Sequence, residues 1–106
     1  MKLTEHGSER IKRRTGMTEH DVTEIVQARA GVYLGESNQY KYLLFYSPPD
    51  QEAKIAVYVS SKDGTDSLIS VWDSYYHLPR GVKRPTYKHI KQARHALQRF
   101  IISRSA

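Results

Sequence analysis

The chain has 106 residues, a length for one domain around a modest core, and no apolar run long enough for a bilayer-spanning helix. It contains no cysteine, which excludes disulfides and thiolate metal sites. The formal charge of +6 is unevenly placed, because all 11 acidic residues lie at or before Asp73 while residues 74–106 carry eight Lys or Arg. Clustered cations displace counterions from phosphates, so the asymmetry points to a nucleic-acid polyanion, RNA or DNA, against the alternative of a basic surface that serves solubility only.

In chain order, residues 4–15 suit a helix by propensity, and Gly16 is expected to end it in the left-handed conformation. The opening MKLTEHGSER lacks the apolar stretch of a secretory signal, so a cytoplasmic protein is expected. Thr18 followed by Asp21 is a capping signal for a second helix, whose apolar stripe is Val22, Ile25 and Val26 and whose end is expected at Gly31. From Val32 the period changes to two. Four runs rich in Val, Ile, Leu and Tyr, about 32–36, 40–47, 54–60 and 67–73, are separated by Ser37-Asn38, Ser47-Pro48-Pro49-Asp50 and Lys62-Asp63-Gly64. Such short connections predict an antiparallel meander, with Ile55, Val57 and Val59 sharing one face and Ile69 and Val71 doing the same on the next strand. The opposite faces carry Lys54, Tyr58 and Ser60, and Ser70 and Trp72. Pro85 and Thr86 open a last helix in which Ile90, Ala93, Leu97, Phe100 and Ile101 form the buried stripe and Lys88, Lys91, His95 and Arg99 the opposite one. The expected fold is α+β in a single domain: two N-terminal helices, a four-stranded antiparallel meander sheet and a C-terminal helix packed on it.

Two constellations bear on chemistry. On the first helix His6, Arg10 and Arg13 are spaced by four and then three residues and project from one face, with Arg14 about one hundred degrees round from Arg13. An imidazole that moves protons near neutral pH beside guanidiniums that clamp a phosphate is what metal-independent phosphoryl transfer from an RNA 2′-hydroxyl requires. The same residue types also make an ordinary solvated helix surface. The second constellation is Trp72-Asp73-Ser74-Tyr75-Tyr76-His77, leading to Arg80, Lys83 and Arg84, where aromatics beside cations suit single-stranded RNA. Packing is the alternative use of each ring, although eight tyrosines are too many for all to be buried. The five histidines show no metal-ligand pairing, no serine lies in a nucleophile elbow and no Gly-rich phosphate loop is present, so neither metal nor cofactor is expected.

The His, four residues to an Arg, three or four to another Arg, and then Thr18-Glu19-His20-Asp21-Val22 resemble the opening of a family of small bacterial and phage domains. That family is placed in the barnase, EndoU, colicin and RelE superfamily of metal-independent ribonucleases. Leu68-Ile69-Ser70-Val71-Trp72 resembles the family's Val-Ile-Thr-Val-Tyr strand, with Ser for Thr and Trp for Tyr, and the likeness covers roughly residues 4–73. It implies a toxin-like RNA-binding domain that cleaves by transesterification. His6 would then act as general base or acid, Arg10 and Arg13 would hold the phosphate, and Ser70 and Tyr75 would position or protonate the leaving group. Arg14, Trp72, His77, Arg80, Lys83, Arg84, Lys88, Lys91 and Arg99 would contact the nucleic acid. The alternative keeps the fold without the chemistry: a regulator, phage-encoded or bacterial, that binds nucleic acid or protein through its basic last helix. An antitoxin-like protein partner, or docking on an exposed sheet edge, remains a further expectation of this kind.

Overall fold

The computed structural model describes residues 1–105. Helix α1 (Glu5–Arg14) begins at Thr4, whose hydroxyl accepts from the Gly7 N–H at 3.0 Å. Glu5 lies in its first turn and Lys12, Arg13 and Arg14 in its last, as the helix dipole favours. Gly16 does not terminate it through a left-handed turn. The chain leaves the helix at Thr15, which is extended (φ −135°, ψ 155°) and donates its hydroxyl to the Ile11 carbonyl at 2.9 Å. Helix α2 (Glu19–Gln27) is capped by Thr18, whose hydroxyl accepts from the Asp21 N–H at 3.1 Å, and Val22, Ile25 and Val26 are buried as expected. Its end differs from the expectation at Gly31, because the left-handed residue is Arg29 (φ 56°). Arg29 N–H bonds Val26 O and Ala30 N–H bonds Ile25 O, the two bonds of a Schellman end. A non-glycine residue in that conformation costs roughly 1–2 kcal/mol. The Arg29 side chain offsets it by pairing with Asp66 at 2.9 Å and lying over the Tyr58 ring.

The sheet has five strands rather than four. Beside β2 (Val32–Ser37), β3 (Tyr40–Ser47), β4 (Glu52–Ser60) and β5 (Asp66–Asp73), which form the antiparallel meander, a two-residue strand β1 (Lys2–Leu3) joins in parallel, giving the order β1-β5-β4-β3-β2. Two residues are too few for any periodic signal, so β1 is invisible without its partner. The pairing of Val57 with Ser70 and Tyr58 with Leu68 leaves Ile69 as an extra residue on β5. This bulge breaks the simple alternation: the buried residues of one face are Leu68 and Val71, not Ile69 and Val71.

Both faces of the sheet are covered. On one, Leu43, Phe45, Ala56, Tyr58, Leu68 and Val71 pack under Ile11 of α1 and the apolar stripe of α2. On the other, Leu34, Tyr42, Leu44, Ile55 and Val57 pack under Ala93 and Ile90 of α3 (Tyr87–Ser105). Lys54 and Tyr58 are therefore buried, not a solvated polar face; Lys54 is neutralised by Asp73 at 2.8 Å and Glu52 at 3.2 Å. At the start of α3 the Thr86 N–H donates to His89 Nδ1 at 3.1 Å and the Thr86 hydroxyl accepts from the His89 N–H, a capping pair built with histidine. The helix rests chiefly on β3 and β2. Farther along, Leu97 and Phe100 join the core beneath α2, and Arg104 pairs with Glu24. Ile101 is half exposed, against its expected place in the stripe, and Ile102 is more so. The segment before α3 crosses to β2, where Lys83 N–H bonds Leu34 O at 2.7 Å and Val82 bridges Gly35, so part of that sheet edge is already occupied. Among the described residues no helix is long and apolar enough to cross a membrane.

Candidate functional site

Because β1 pairs only with Ser67 and Leu68, the rest of the β5 edge has no strand beside it, and α1 lies along it. The docking is fixed at both ends. At the first turn the Thr4 hydroxyl donates to Leu68 O at 3.0 Å, and at the last Arg14 Nη1 donates to Val71 O at 3.1 Å. With Ile11 turned toward the sheet, Arg14, Arg10 and His6 follow one another round the helix on the side that looks past the β5 edge. There they meet Ser70 and Trp72, which point to the sheet face opposite the α1 and α2 core. Together with Tyr76 and His77 from the following loop, these residues line one hollow of about 260 Å³. That is below the roughly 300–1,000 Å³ of pockets for drug-sized ligands, and suits a small polar group. Helix α3, lying over β2 and β3, does not close it.

Inside the hollow Arg10 Nε donates to His6 Nε2 at 3.3 Å, so in this geometry the lone pair is on Nε2 and the ring proton on Nδ1. Arg14 Nη2 donates to the Tyr76 hydroxyl at 2.8 Å, and its guanidinium lies 4.8 Å from the centre of the same ring. Trp72 is wedged between Tyr42 and Tyr76, at ring-centre distances of 5.5 and 5.9 Å. Ser70 is 5% exposed, and its hydroxyl is the one buried side-chain polar atom among the described residues without a hydrogen-bond partner. Arg10 and Arg14 form no ion pair among the described residues, and the nearby Asp73 is engaged by Lys54. Burial pushes the Asp73 carboxyl up, but the hydrogen bond and charge of Lys54, the Tyr75 hydrogen bond and the charge of Arg14 together outweigh it and hold the group below its ordinary value. The hollow is thus cationic, and the guanidinium N–H groups not given to His6, Val71 or Tyr76 are free for an anion.

Two of the residues expected at the site do not line the hollow. Arg13 lies beyond His6 round the helix, pairs outward with Glu9 at 3.6 Å and does not line the hollow; Arg14 takes its place. Tyr75 is 80% exposed and also outside it. Its hydroxyl donates to Asp73 Oδ2 at 3.1 Å, and that bond to a carboxylate raises its pKa, the wrong direction for a proton donor. Tyr76 is the tyrosine of the hollow, and nothing in the adjacent Tyr75-Tyr76 pair distinguishes the two by sequence. Arg84 lines an adjoining recess, whereas Arg80 and Lys83 line neither and Lys83 is tied by its backbone to β2. Lys88, Lys91 and Arg99 are exposed on α3, away from the hollow, with Lys91 over the Tyr87 ring. Among the described residues no three His, Asp or Glu side chains gather as a metal-binding group. Compared with known proteins, the chain matches no family model, no curated protein and no solved structure at a significant level.

Proposed function

We propose that the protein binds RNA and cleaves it without a metal, at the hollow between α1 and β5. The observation that carries this reading is the convergence, from three separate segments, of His6, Arg10 and Arg14 with Ser70, Trp72, Tyr76 and His77 around one open, acid-free hollow. In the reaction Arg10 turns from His6 to the phosphate, and the Nε2 lone pair this frees takes the proton of the 2′-hydroxyl as that oxygen attacks the adjacent phosphorus. The bond from phosphorus to the 5′-oxygen breaks, and the leaving oxygen takes a proton from His77, which also lines the hollow, leaving a 2′,3′-cyclic phosphate. Arg10 and Arg14 supply donors for the charge that builds on the non-bridging oxygens, and the partnerless Ser70 hydroxyl supplies a further one on rotating into the hollow. Arg14 is pre-aimed, since Val71 O and the Tyr76 hydroxyl hold it from behind. Membership in the barnase, EndoU, colicin and RelE superfamily belongs to the same proposal, and so does a toxin-like role with a protein antagonist.

The test is incubation of the purified protein with a mixed RNA pool in EDTA, repeated with His6→Ala. Fragments ending in cyclic phosphate from the wild type, and their loss in the variant, are expected. Intact RNA at protein concentrations that saturate binding overturns the catalytic reading. A non-catalytic regulator is the second reading, favoured by the exposed cations Lys88, Lys91 and Arg99 standing apart from the hollow. It predicts that reversing those three charges abolishes function while His6→Ala leaves it intact.

A further inference from the structure

The Tyr76-His77 wall of the hollow has a second side. Beyond it lies a recess of about 130 Å³, with Leu78 and Val82 as its apolar lining, Arg84 as its cation and Tyr75 at its mouth. Tyr75 and Tyr76 are stacked, with ring centres 5.9 Å apart and planes 25° from parallel. Tyr75 exposes 80% of its surface, so its ring serves no core. It is nonetheless held in place, by stacking on Tyr76 and by its hydroxyl on Asp73. An aromatic face that is both exposed and fixed offers stacking area at little ordering cost, and the carboxylate bonded to the Tyr75 hydroxyl, Asp73, is paired with Lys54.

From this geometry we infer that the recess is a nucleobase subsite, in which a base flanking the phosphate in the hollow stacks against the Tyr75-Tyr76 pair beside Arg84. The inference rests on the proposed RNA reading and narrows it. A base can reach these rings only when it is out of a duplex, so the substrate is single-stranded at that position. Every base has a π-face, so stacking selects strandedness rather than sequence.

The experiment uses the intact protein at fixed salt and two strands that cannot be cleaved by transesterification: a short single-stranded deoxyribo-oligonucleotide and a strand of equal length with every base removed. Trp72, the single tryptophan, sits in the hollow, so quenching of its fluorescence reports occupancy. The base-bearing strand is expected to bind roughly tenfold or more tighter than the abasic one, the scale of one stacked base. Tyr75→Ala is expected to erase that difference without changing the abasic affinity, and Tyr75→Phe to restore it, since the ring and not the hydroxyl stacks. Equal affinity for the two strands overturns the base subsite and leaves the phosphate hollow standing. So does a Tyr75→Ala variant that weakens both strands alike or neither. Absence of quenching and of binding with either strand overturns the subsite.

Discussion

Replacing Ser70 by alanine is expected to make the protein more stable and less able to handle RNA. The Ser70 side chain is 5% exposed on β5 and its hydroxyl has no hydrogen-bond partner. A buried polar group left unpaired costs roughly 1–3 kcal/mol, because it gives up water and receives nothing in exchange. Alanine removes that cost. What it loses is the dispersion of one oxygen atom with its neighbours, a few contacts of about 0.1–0.2 kcal/mol each. The net gain is therefore about 1 kcal/mol, which in a domain near this size raises Tm by roughly 4–8 °C. Reversible thermal and urea unfolding measure it, the urea midpoint rising at constant slope. Cleavage of single-stranded RNA in EDTA, measured on the same preparations, is expected to fall, the usual exchange of stability for function at a preorganised site. A loss of 1 kcal/mol or more would refute the reasoning, since it would show that the hydroxyl is satisfied within the native fold. A gain in stability with unchanged cleavage would remove Ser70 from the site.

Other perturbations test how the site is assembled. Gly7→Ala improves helix propensity by about 1 kcal/mol, but its Cβ would stand 2.5 Å from the Leu68 carbonyl oxygen, a backbone atom that cannot yield. Overpacking wins, and a net loss of about 2 kcal/mol is expected in urea unfolding, with weaker RNA binding as α1 lifts from β5. Asp73→Ala leaves Lys54 buried with only Glu52, at 3.2 Å; a loss of about 3 kcal/mol is expected, and adding Lys54→Met recovers most of it. Stability is expected to fall as the pH drops below about 4. Asp66 is pushed up by burial, but hydrogen bonds from Arg29 and Ser60 lower it overall, and Asp73 is lowered in the same way by Lys54. A carboxyl whose folded pKa lies below its unfolded one stabilises the protein above the unfolded value and loses that contribution as the pH falls through the folded value. An unchanged urea midpoint between pH 7 and pH 3 would contradict this.

Local order was legible in the residues themselves. Thr18 caps α2, the period-two runs became β2 to β5 with ends shifted by at most two residues, and His6 and Arg10 did share a helix face. These features depend on neighbours three or four positions away, and such neighbours are written into the chain. Tertiary packing decided the rest. Whether Arg13 or Arg14 reaches the hollow depends on which side of α1 the Ile11 contact turns toward the sheet. The bulge at Ile69 decided which β5 residues are buried, and the seating of α3 over β3 and β2 left Ser70 and Trp72 to the hollow. The two-residue β1 exists only because β5 receives it. Each of these outcomes is a competition between burial of distant segments, so its energy belongs to pairs of residues far apart in the chain and leaves no periodic trace in either one.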